Sequence, residues 1–221
     1  MIRAVIFDLD GTIADTISAI REGVNLTMAE YGYPQHSDQD ILRFINNGAR
    51  ELIRRATPEE LRTDEELVSR VLADYDRLYG TCYLHTDRTY AGICEIVRIL
   101  HDEMGLKIAV LSNKQDLFVK NLAKQLLPAG CFEAAQGVIQ GKPTKPDPYL
   151  VDLLAQELGV SPNECVMVGD SDVDIRTAEG ADMTHVGVSW GYRDEAFLRE
   201  RGAERIAATP AELLEIIKNL L

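Results

Sequence analysis

Short runs of branched and aromatic apolar residues recur along the chain, separated by helical patterns. A run of this kind that ends at polar residues is typical of a strand buried on both faces of a parallel sheet. The runs are Ala4–Leu9, Lys107–Leu111, Glu164–Val168 and Thr184–Val188. Helical patterns follow at Gly92–Glu103, Asp116–Leu126, Pro148–Leu158 and Asp172–Glu179, and a last helix begins after Thr209. Strands alternating with helices predict βαβ units, so we predict an α/β fold with a Rossmann-like open parallel sheet.

Residues 15–85 interrupt this alternation. They contain amphipathic helical patterns separated by turn residues and no apolar run typical of a sheet strand; the patterns are Thr16–Tyr31, Asp38–Phe44, Ala49–Ala56 and Asp64–Tyr79. One crossover connection does not need so many helices, so we predict an inserted helical cap domain at 15–85 and an α/β core domain at 1–14 and 86–221. The alternative is that these helices only cover one face of the sheet.

Charge and cysteine content limit the partners and the compartment. The chain of 221 residues carries a net charge of -13, which disfavours nucleic acid and anionic membranes as partners. The 4 cysteines form no CxxC pair, which argues against a disulfide scaffold and a zinc site and fits a reducing compartment. The first apolar run is too short for a secretion signal, so we expect a cytoplasmic protein. A monomer and a homodimer are both compatible with the sequence.

Polar residues follow three of the predicted strands, at the edge where open α/β sheets bind ligands. Asp8 and Asp10 end the first run and point the same way, because residues two apart in a strand share a face. Ser112 and Asn113 follow the second run, and Asp170 follows the third. Carboxylates that converge at one edge repel each other unless a cation is present. Mg²⁺ fits this site because it prefers oxygen ligands and keeps waters for a phosphate.

Two further groups complete the predicted site. Asp174 lies one helical turn after Asp170 and can reach back toward it. Lys145 supplies a second cation in a Lys-Pro-x-Pro context, which favours it over Lys142 as the phosphate-site lysine.

Four motifs carry a family resemblance: Asp8-Leu9-Asp10-Gly11-Thr12, Ser112 after an apolar strand, Lys145-Pro146-Asp147-Pro148, and Gly169-Asp170-Ser171-x-x-Asp174. In their order and spacing they resemble the four motifs of the haloacid dehalogenase superfamily, and the resemblance covers the whole chain. The helical insertion corresponds to the cap that phosphatases of this superfamily place after the first motif. The dehalogenases of the superfamily lack an aspartate at the position of Asp10, so its presence here points to phosphatases and phosphomutases.

The resemblance implies a role for each of these residues. Asp8 is expected to be the nucleophile that forms an aspartyl-phosphate, and Asp10 the general acid and base. Ser112, Asn113 and Lys145 are expected to bind the phosphoryl oxygens. Mg²⁺ is expected on Asp8, Asp170 and the backbone carbonyl of Asp10. The expected role of Ser171 and Asp174 is to orient these ligands.

Further segments resemble the phosphoglycolate phosphatase-like branch of the superfamily; they include Thr12–Thr16, Tyr90–Ile93, Leu111–Lys114 and Gly187–Tyr192. The resemblance implies a Mg²⁺-dependent phosphatase acting on a small phosphate ester, most simply phosphoglycolate. Alternatives within the superfamily are a sugar phosphomutase similar to β-phosphoglucomutase, a pyrophosphatase and a phosphonatase. A catalytically silent binding protein is disfavoured, because the acidic and lysine positions are intact. In the cap, Asn47 and Arg50 are candidates for gripping a substrate carboxylate or second phosphate.

Overall fold

The computed structural model describes residues 1–45, 47–86 and 88–221; Asn46, which belongs to a predicted turn of the cap, lies outside these ranges. The chain divides into two compact units. One consists of Met1–Asp15 and Arg88–Leu221, and we call it the α/β unit. The other consists of Thr16–Asp87, and we call it the helical unit.

The strands of the α/β unit form a six-stranded parallel sheet in the order β3-β2-β1-β4-β5-β6. The strands are β1 (Ala4–Phe7), β2 (Lys107–Gln115), β3 (Ala134–Val138), β4 (Cys165–Gly169), β5 (Thr184–Val188) and β6 (Ile206–Ala207). Every residue of β1 and β4 is buried, as expected for central strands covered on both faces. The predicted α/β fold with an open parallel sheet is confirmed.

The helical unit is built from α1 (Ile17–Glu30), α2 (Asp38–Phe44), α3 (Gly48–Ala56) and α4 (Glu65–Cys82). Two short 3₁₀ turns, Glu59–Leu61 and Tyr83–His85, flank α4. Helix α2 begins with a capping box, in which the side chains of Ser37 and Asp40 each accept a hydrogen bond from the other's backbone N–H. Helices α1 and α4 pack closely at Gly23, where a Cβ atom would lie 2.8 Å from the Tyr79 ring.

The helices of the α/β unit are α5 (Ile93–Arg98), α6 (Asp116–Leu126), α7 (Tyr149–Leu158), α8 (Asp172–Gly180), α9 (Glu195–Glu200) and α10 (Pro210–Lys218). The sequence predicts one helix at Gly92–Glu103, but α5 ends at Arg98 and continues as a π-helical turn, Ile99–Glu103. No helix of the described residues is long and apolar enough to cross a membrane.

Strand β2 differs from the prediction, which ends this strand at Leu111. In the structure it runs on to Gln115, with a register shift against β3 between Leu111 and Gln115. Ser112 and Asn113 therefore lie within the strand and not after it. Strands β3 and β6 and helix α9 are absent from the prediction, because β3 contains Gln and Gly and the other two are short.

Candidate active site

Three aspartates gather at the carboxyl edge of the sheet. Asp8 directly follows β1, and Asp170 directly follows β4, which is paired with β1. Asp174 lies in the first turn of α8. One carboxylate oxygen from each of the three lies within 4.8 Å of the other two, and all three residues are buried. The sequence motifs at the ends of separate strands thus meet in one buried acidic cluster.

Lys145 connects two members of this cluster. Its Nζ donates a hydrogen bond to Asp8 Oδ1 at 2.7 Å and to Asp174 Oδ1 at 2.7 Å. Its side chain is only 3% exposed, so these contacts are shielded from solvent. Burial acts to lower the pKa of Lys145, but the charges of Asp174 and Asp8 outweigh burial and hold this pKa above its ordinary value. Lys145 is therefore a permanent cation within the cluster.

The start of α8 fixes Asp174. Asp174 Oδ2 accepts hydrogen bonds from the Ser171 hydroxyl at 2.6 Å and from the Ser171 backbone N–H at 3.2 Å, the arrangement of a capping box. With Lys145 on Oδ1, both oxygens of Asp174 are hydrogen-bonded within the protein. This pattern suits a residue that positions Lys145.

Asp170 is held by the segment after β5. Its Oδ2 accepts a hydrogen bond from the Tyr192 backbone N–H at 2.6 Å. Two glycines allow this close approach of backbone to carboxylate. Gly11 has a φ of 85°, and a Cβ atom there would clash with Asp170 Oδ2; a Cβ atom at Gly191 would clash with the Gly11 carbonyl oxygen.

The charge balance of the cluster fits a divalent cation. When Asp8, Asp170, Asp174 and Lys145 are all ionised, these four groups carry two net negative charges in a buried site. Burial, opposed by Lys145 and reinforced by Asp174 and Asp10, raises the pKa of Asp8 to about 7. Burial and the charges of Asp8 and Asp174 raise the pKa of Asp170 well above its ordinary value. Hard carboxylate oxygens are ligands that a divalent cation such as Mg²⁺ prefers.

The substitution Asp170→Asn tests this charge balance. Because the pKa of Asp170 is raised, the metal-free folded state loses stability as the pH rises from the ordinary carboxyl range through the raised pKa. We expect metal-free Asp170→Asn to be more stable than the metal-free wild type at pH 8, with a smaller difference at pH 4, measured by urea unfolding in EDTA. Mg²⁺ should stabilise the wild type but not the variant.

The matched control is Asp172→Asn, which changes the more exposed carboxylate that pairs with Arg176. It should leave both the pH dependence and the response to Mg²⁺ as in the wild type. An Asp170→Asn protein that is less stable than the wild type in EDTA at pH 8 would contradict the charge argument.

The two predicted phosphate-binding residues of β2 differ in their surroundings. Ser112 is buried, and its Oγ accepts a hydrogen bond from the Lys114 backbone N–H at 3.3 Å. Asn113 donates a hydrogen bond from Nδ2 to the backbone carbonyl of Lys145 at 2.9 Å. The Asn113 side chain thus joins β2 to the segment that carries Lys145.

Sequence reasoning missed two residues beside the acidic positions. Lys114 is buried and its Nζ lies 2.9 Å from Asp10 Oδ1, an ion pair of two strand-end side chains. Tyr90 lies near several carboxylates: burial, followed by the charges of Asp15, Asp170 and Asp10, raises the pKa of its hydroxyl. Lys114 stands two residues after Ser112 in β2, and residues two apart in a strand share a face, which is the pattern that could have found it.

The two candidate substrate residues of the helical unit lie near the start of α3. Asn47 is the residue before α3 and is exposed. Arg50 donates hydrogen bonds from Nη2 to Glu65 Oε2 at 2.7 Å and to Ser69 Oγ at 3.1 Å. These bonds tie Arg50 to α4, so its contact with a substrate stays a prediction.

The chain is similar to known hydrolases in both sequence and structure. The family model of the haloacid dehalogenase-like hydrolases matches residues 2–182. The phosphoglycolate phosphatase of Vibrio vulnificus (strain YJ016) is 27% identical over 98% of this chain and 96% of its own length. That of Pseudomonas putida is 29% identical over 99% of this chain and 78% of its own length. A crystal structure from Lactobacillus delbrueckii subsp. bulgaricus, provisionally assigned as a phosphoglycolate phosphatase, has 31% identity and a TM-score of 0.87, covering 97% of this chain and 98% of its own.

The sheet, the acidic cluster at its carboxyl edge and these matches define a hydrolase with an α/β fold of the haloacid dehalogenase type. The chain belongs to the haloacid dehalogenase-like hydrolase family. The predicted family resemblance and the predicted enzyme class, a phosphoric monoester hydrolase, are confirmed.

Proposed function

We propose that this protein is a Mg²⁺-dependent phosphatase that hydrolyses phosphoglycolate through an aspartyl-phosphate intermediate on Asp8. The observation that carries the proposal is the buried cluster in which Lys145 Nζ lies 2.7 Å from the oxygens of Asp8 and Asp174, next to Asp170. Relatives named phosphoglycolate phosphatase support the choice of substrate.

In this proposal Asp8 is the nucleophile. A carboxylate oxygen of Asp8 attacks the phosphorus atom, and the bond from phosphorus to the ester oxygen breaks. Lys145 holds Asp8 Oδ1, which fixes the orientation of the carboxylate. Asp174 and Ser171 in turn fix Lys145, so the nucleophile depends on a chain of buried hydrogen bonds.

Asp10 is the proposed general acid and base. It protonates the leaving ester oxygen in the first step and takes a proton from the attacking water in the second. Its carboxyl group is 23% exposed, so substrate and water can reach it, and Lys114 at 2.9 Å holds it in place. Ser112 and Asn113 are proposed to bind the phosphoryl oxygens.

The divalent ion is proposed to be Mg²⁺, held by Asp8, Asp170 and the backbone carbonyl of Asp10. When bound, it supplies positive charge that offsets the repulsion between the carboxylates and the phosphate. The protein's own part is to hold Asp170 by the Tyr192 N–H, so that this ligand is in position before the ion binds.

The helical unit is proposed to act as the substrate-selecting cap. Arg50 and Asn47 are its candidate residues for a substrate carboxylate. For Arg50 to bind such a carboxylate it would exchange its present acceptors, Glu65 and Ser69. A carboxylate-bearing ester such as phosphoglycolate can compensate that loss, because it replaces one carboxylate partner of arginine with another.

A substrate panel tests the proposal. Inorganic phosphate release is measured with phosphoglycolate, sugar 1-phosphates, pyrophosphate and a phosphonate, in EDTA and in Mg²⁺. We expect kcat/KM for phosphoglycolate to exceed that for the other compounds by about 10-fold or more, and release to stop in EDTA. The same panel run with Asp8→Asn protein controls for contaminating phosphatases.

Three outcomes would contradict the proposal in different ways. Conversion of a sugar 1-phosphate into its 6-phosphate without phosphate release would identify a mutase that shares the aspartyl-phosphate step. Full activity in EDTA would reject the metal dependence. Faster phosphate release from pyrophosphate or a phosphonate would leave the proposed active site in place but would show that phosphoglycolate is not the preferred substrate.

A further inference from the structure

A second group of metal-ligating side chains lies at the opposite edge of the sheet from Asp8. His101 and Asp102 belong to the π-helical turn Ile99–Glu103, which precedes β2, and Cys131 lies in the connection between α6 and β3. One ligand atom from each of these three residues lies within 4.8 Å of the other two. Because β2 and β3 are parallel and both begin at this edge, the group is separate from the acidic cluster at the carboxyl ends.

The distances within the group are close to those of a tetrahedral metal site. His101 Nδ1 lies 2.6 Å from Asp102 Oδ1, and Cys131 Sγ lies 3.8 Å from Asp102 Oδ2. Around a tetrahedral zinc ion, nitrogen and oxygen ligands would be about 3.3 Å apart, and sulfur and oxygen ligands about 3.5 Å apart. For an ion to bind, the separation of His101 and Asp102 would have to widen and that of Cys131 and Asp102 to shorten, each by less than about 1 Å.

Glu133 lies beside the histidine of this group. Glu133 Oε1 lies 3.4 Å from His101 Nε2, on the side of the ring away from Nδ1. Glu133 is itself fixed to β2, because its Oε2 accepts the Ile108 N–H at 2.6 Å and its own N–H donates to the Ile108 carbonyl at 2.9 Å. A carboxylate on one ring nitrogen keeps the proton there and leaves the other nitrogen as a ligand, an arrangement that recurs at metal-bound histidines.

The lack of a CxxC pair argues against a zinc site in the sequence, but the fold brings single ligands from separate segments together. We propose that His101, Asp102 and Cys131 form a binding site for a divalent ion of the zinc class, with Glu133 as the partner of the histidine. Thiolate and imidazole ligands select zinc-class ions and not Mg²⁺. Asp102, 56% exposed, gives the ion access from solvent, while Cys131 is buried behind it. Water takes the fourth position.

Binding has a defined proton balance. Cys131 loses its thiol proton to solvent, and the proton on His101 Nδ1 moves to Nε2, beside Glu133, when the ion takes its place, so that the imidazole stays neutral. With a thiolate, a carboxylate and a neutral imidazole, the occupied site is electrically neutral. The ion would join the turn before β2 to the connection before β3, and would thereby stabilise the edge strand β3.

Cobalt substitution tests this proposal without relying on enzyme activity. Co²⁺ is titrated into the wild-type protein in excess Mg²⁺, which occupies the oxygen ligands of the acidic cluster. We expect a sulfur-to-cobalt charge-transfer band that saturates at one ion per chain and disappears when Zn²⁺ is added. Cys131→Ser should lack the band. The matched control is Cys94→Ser, which changes a half-buried cysteine whose Sγ donates a hydrogen bond to the Leu126 carbonyl. This variant should retain the charge-transfer band.

A second variant measures the role of Glu133. Glu133→Gln keeps the ligands and should weaken Zn²⁺ binding by about 10–100-fold in a competition titration, the effect expected for a partner of a metal-bound histidine. The absence of a charge-transfer band in the wild type would overturn the proposal. Persistence of the band in Cys131→Ser would overturn the proposed site as well. If Glu133→Gln binds Zn²⁺ as tightly as the wild type, the role assigned to Glu133 is wrong.

Discussion

The substitution Asp8→Asn is expected to lower kcat/KM by about 10⁴-fold or more, because it removes the proposed nucleophile and keeps the size of the side chain. The amide can still accept the hydrogen bond that Lys145 donates to Asp8 Oδ1, so the fold should persist. Single-turnover phosphate release, measured at saturating substrate and Mg²⁺, separates loss of chemistry from loss of binding.

The matched control for this prediction is Asp152→Asn, which changes an exposed carboxylate on α7. Its kcat/KM should stay within about twofold of the wild type, because exposed substitutions away from a site have small effects. An Asp8→Asn protein that retains about 10% or more of the wild-type kcat/KM would reject Asp8 as the nucleophile.

The substitution Lys145→Met is expected to have the largest effect on stability. It removes the cation that contacts Asp8 and Asp174 and leaves their carboxylates buried beside Asp170. Removing one partner of a buried ion pair costs about 3–5 kcal/mol of unfolding free energy. Urea unfolding in EDTA at pH 8 measures this loss, and kcat/KM should fall by about 10²–10³-fold in parallel.

The loss of unfolding free energy caused by Lys145→Met should become smaller at low pH and in the presence of Mg²⁺. Burial already raises the pKa of Asp8 to about 7 and the pKa of Asp170 well above its ordinary value. Lowering the pH to 5 therefore protonates carboxylates that Lys145 no longer balances, and the difference in unfolding free energy from the wild type should shrink. Mg²⁺ should also reduce the difference in stability without restoring kcat/KM.

The control for this prediction is Lys142→Met, which tests the rival lysine of the same segment. Lys142 is exposed, and its Nζ lies 5.5 Å from the centre of the Tyr149 ring. Its loss should change the unfolding free energy by less than about 1 kcal/mol and leave kcat/KM near the wild-type value. If Lys142→Met lowers kcat/KM more than Lys145→Met does, the choice of Lys145 over Lys142 from its Lys-Pro-x-Pro context is wrong.

The sequence predicted the sheet that carries the acidic residues because the relevant signals are strong and local. The runs that form β1 and β4 are wholly apolar and buried, and the polar residues that follow them mark the strand ends. Parallel neighbours end at the same edge, so Asp8 and Asp170 could be brought together by reasoning from the sequence alone.

The contacts between side chains were less accessible to sequence analysis. That Lys145 bridges Asp8 and Asp174 depends on the path of a long connection, which no local pattern encodes. The ion pair of Lys114 with Asp10 depends on β2 continuing through polar residues, where the apolar signal has already ended. Strand β3, with sequence AAQGV, has too little apolar character to be recognised without its neighbours.

The most direct test of the account is to find the phosphorylated residue. Enzyme mixed with phosphoglycolate and Mg²⁺ is quenched in acid and reduced with borohydride, which converts an aspartyl-phosphate into homoserine, and peptides are then sequenced by mass spectrometry. Homoserine is expected at position 8, and none there in protein quenched without substrate. Homoserine at another position, or phosphate release with no homoserine at any aspartate, would contradict it.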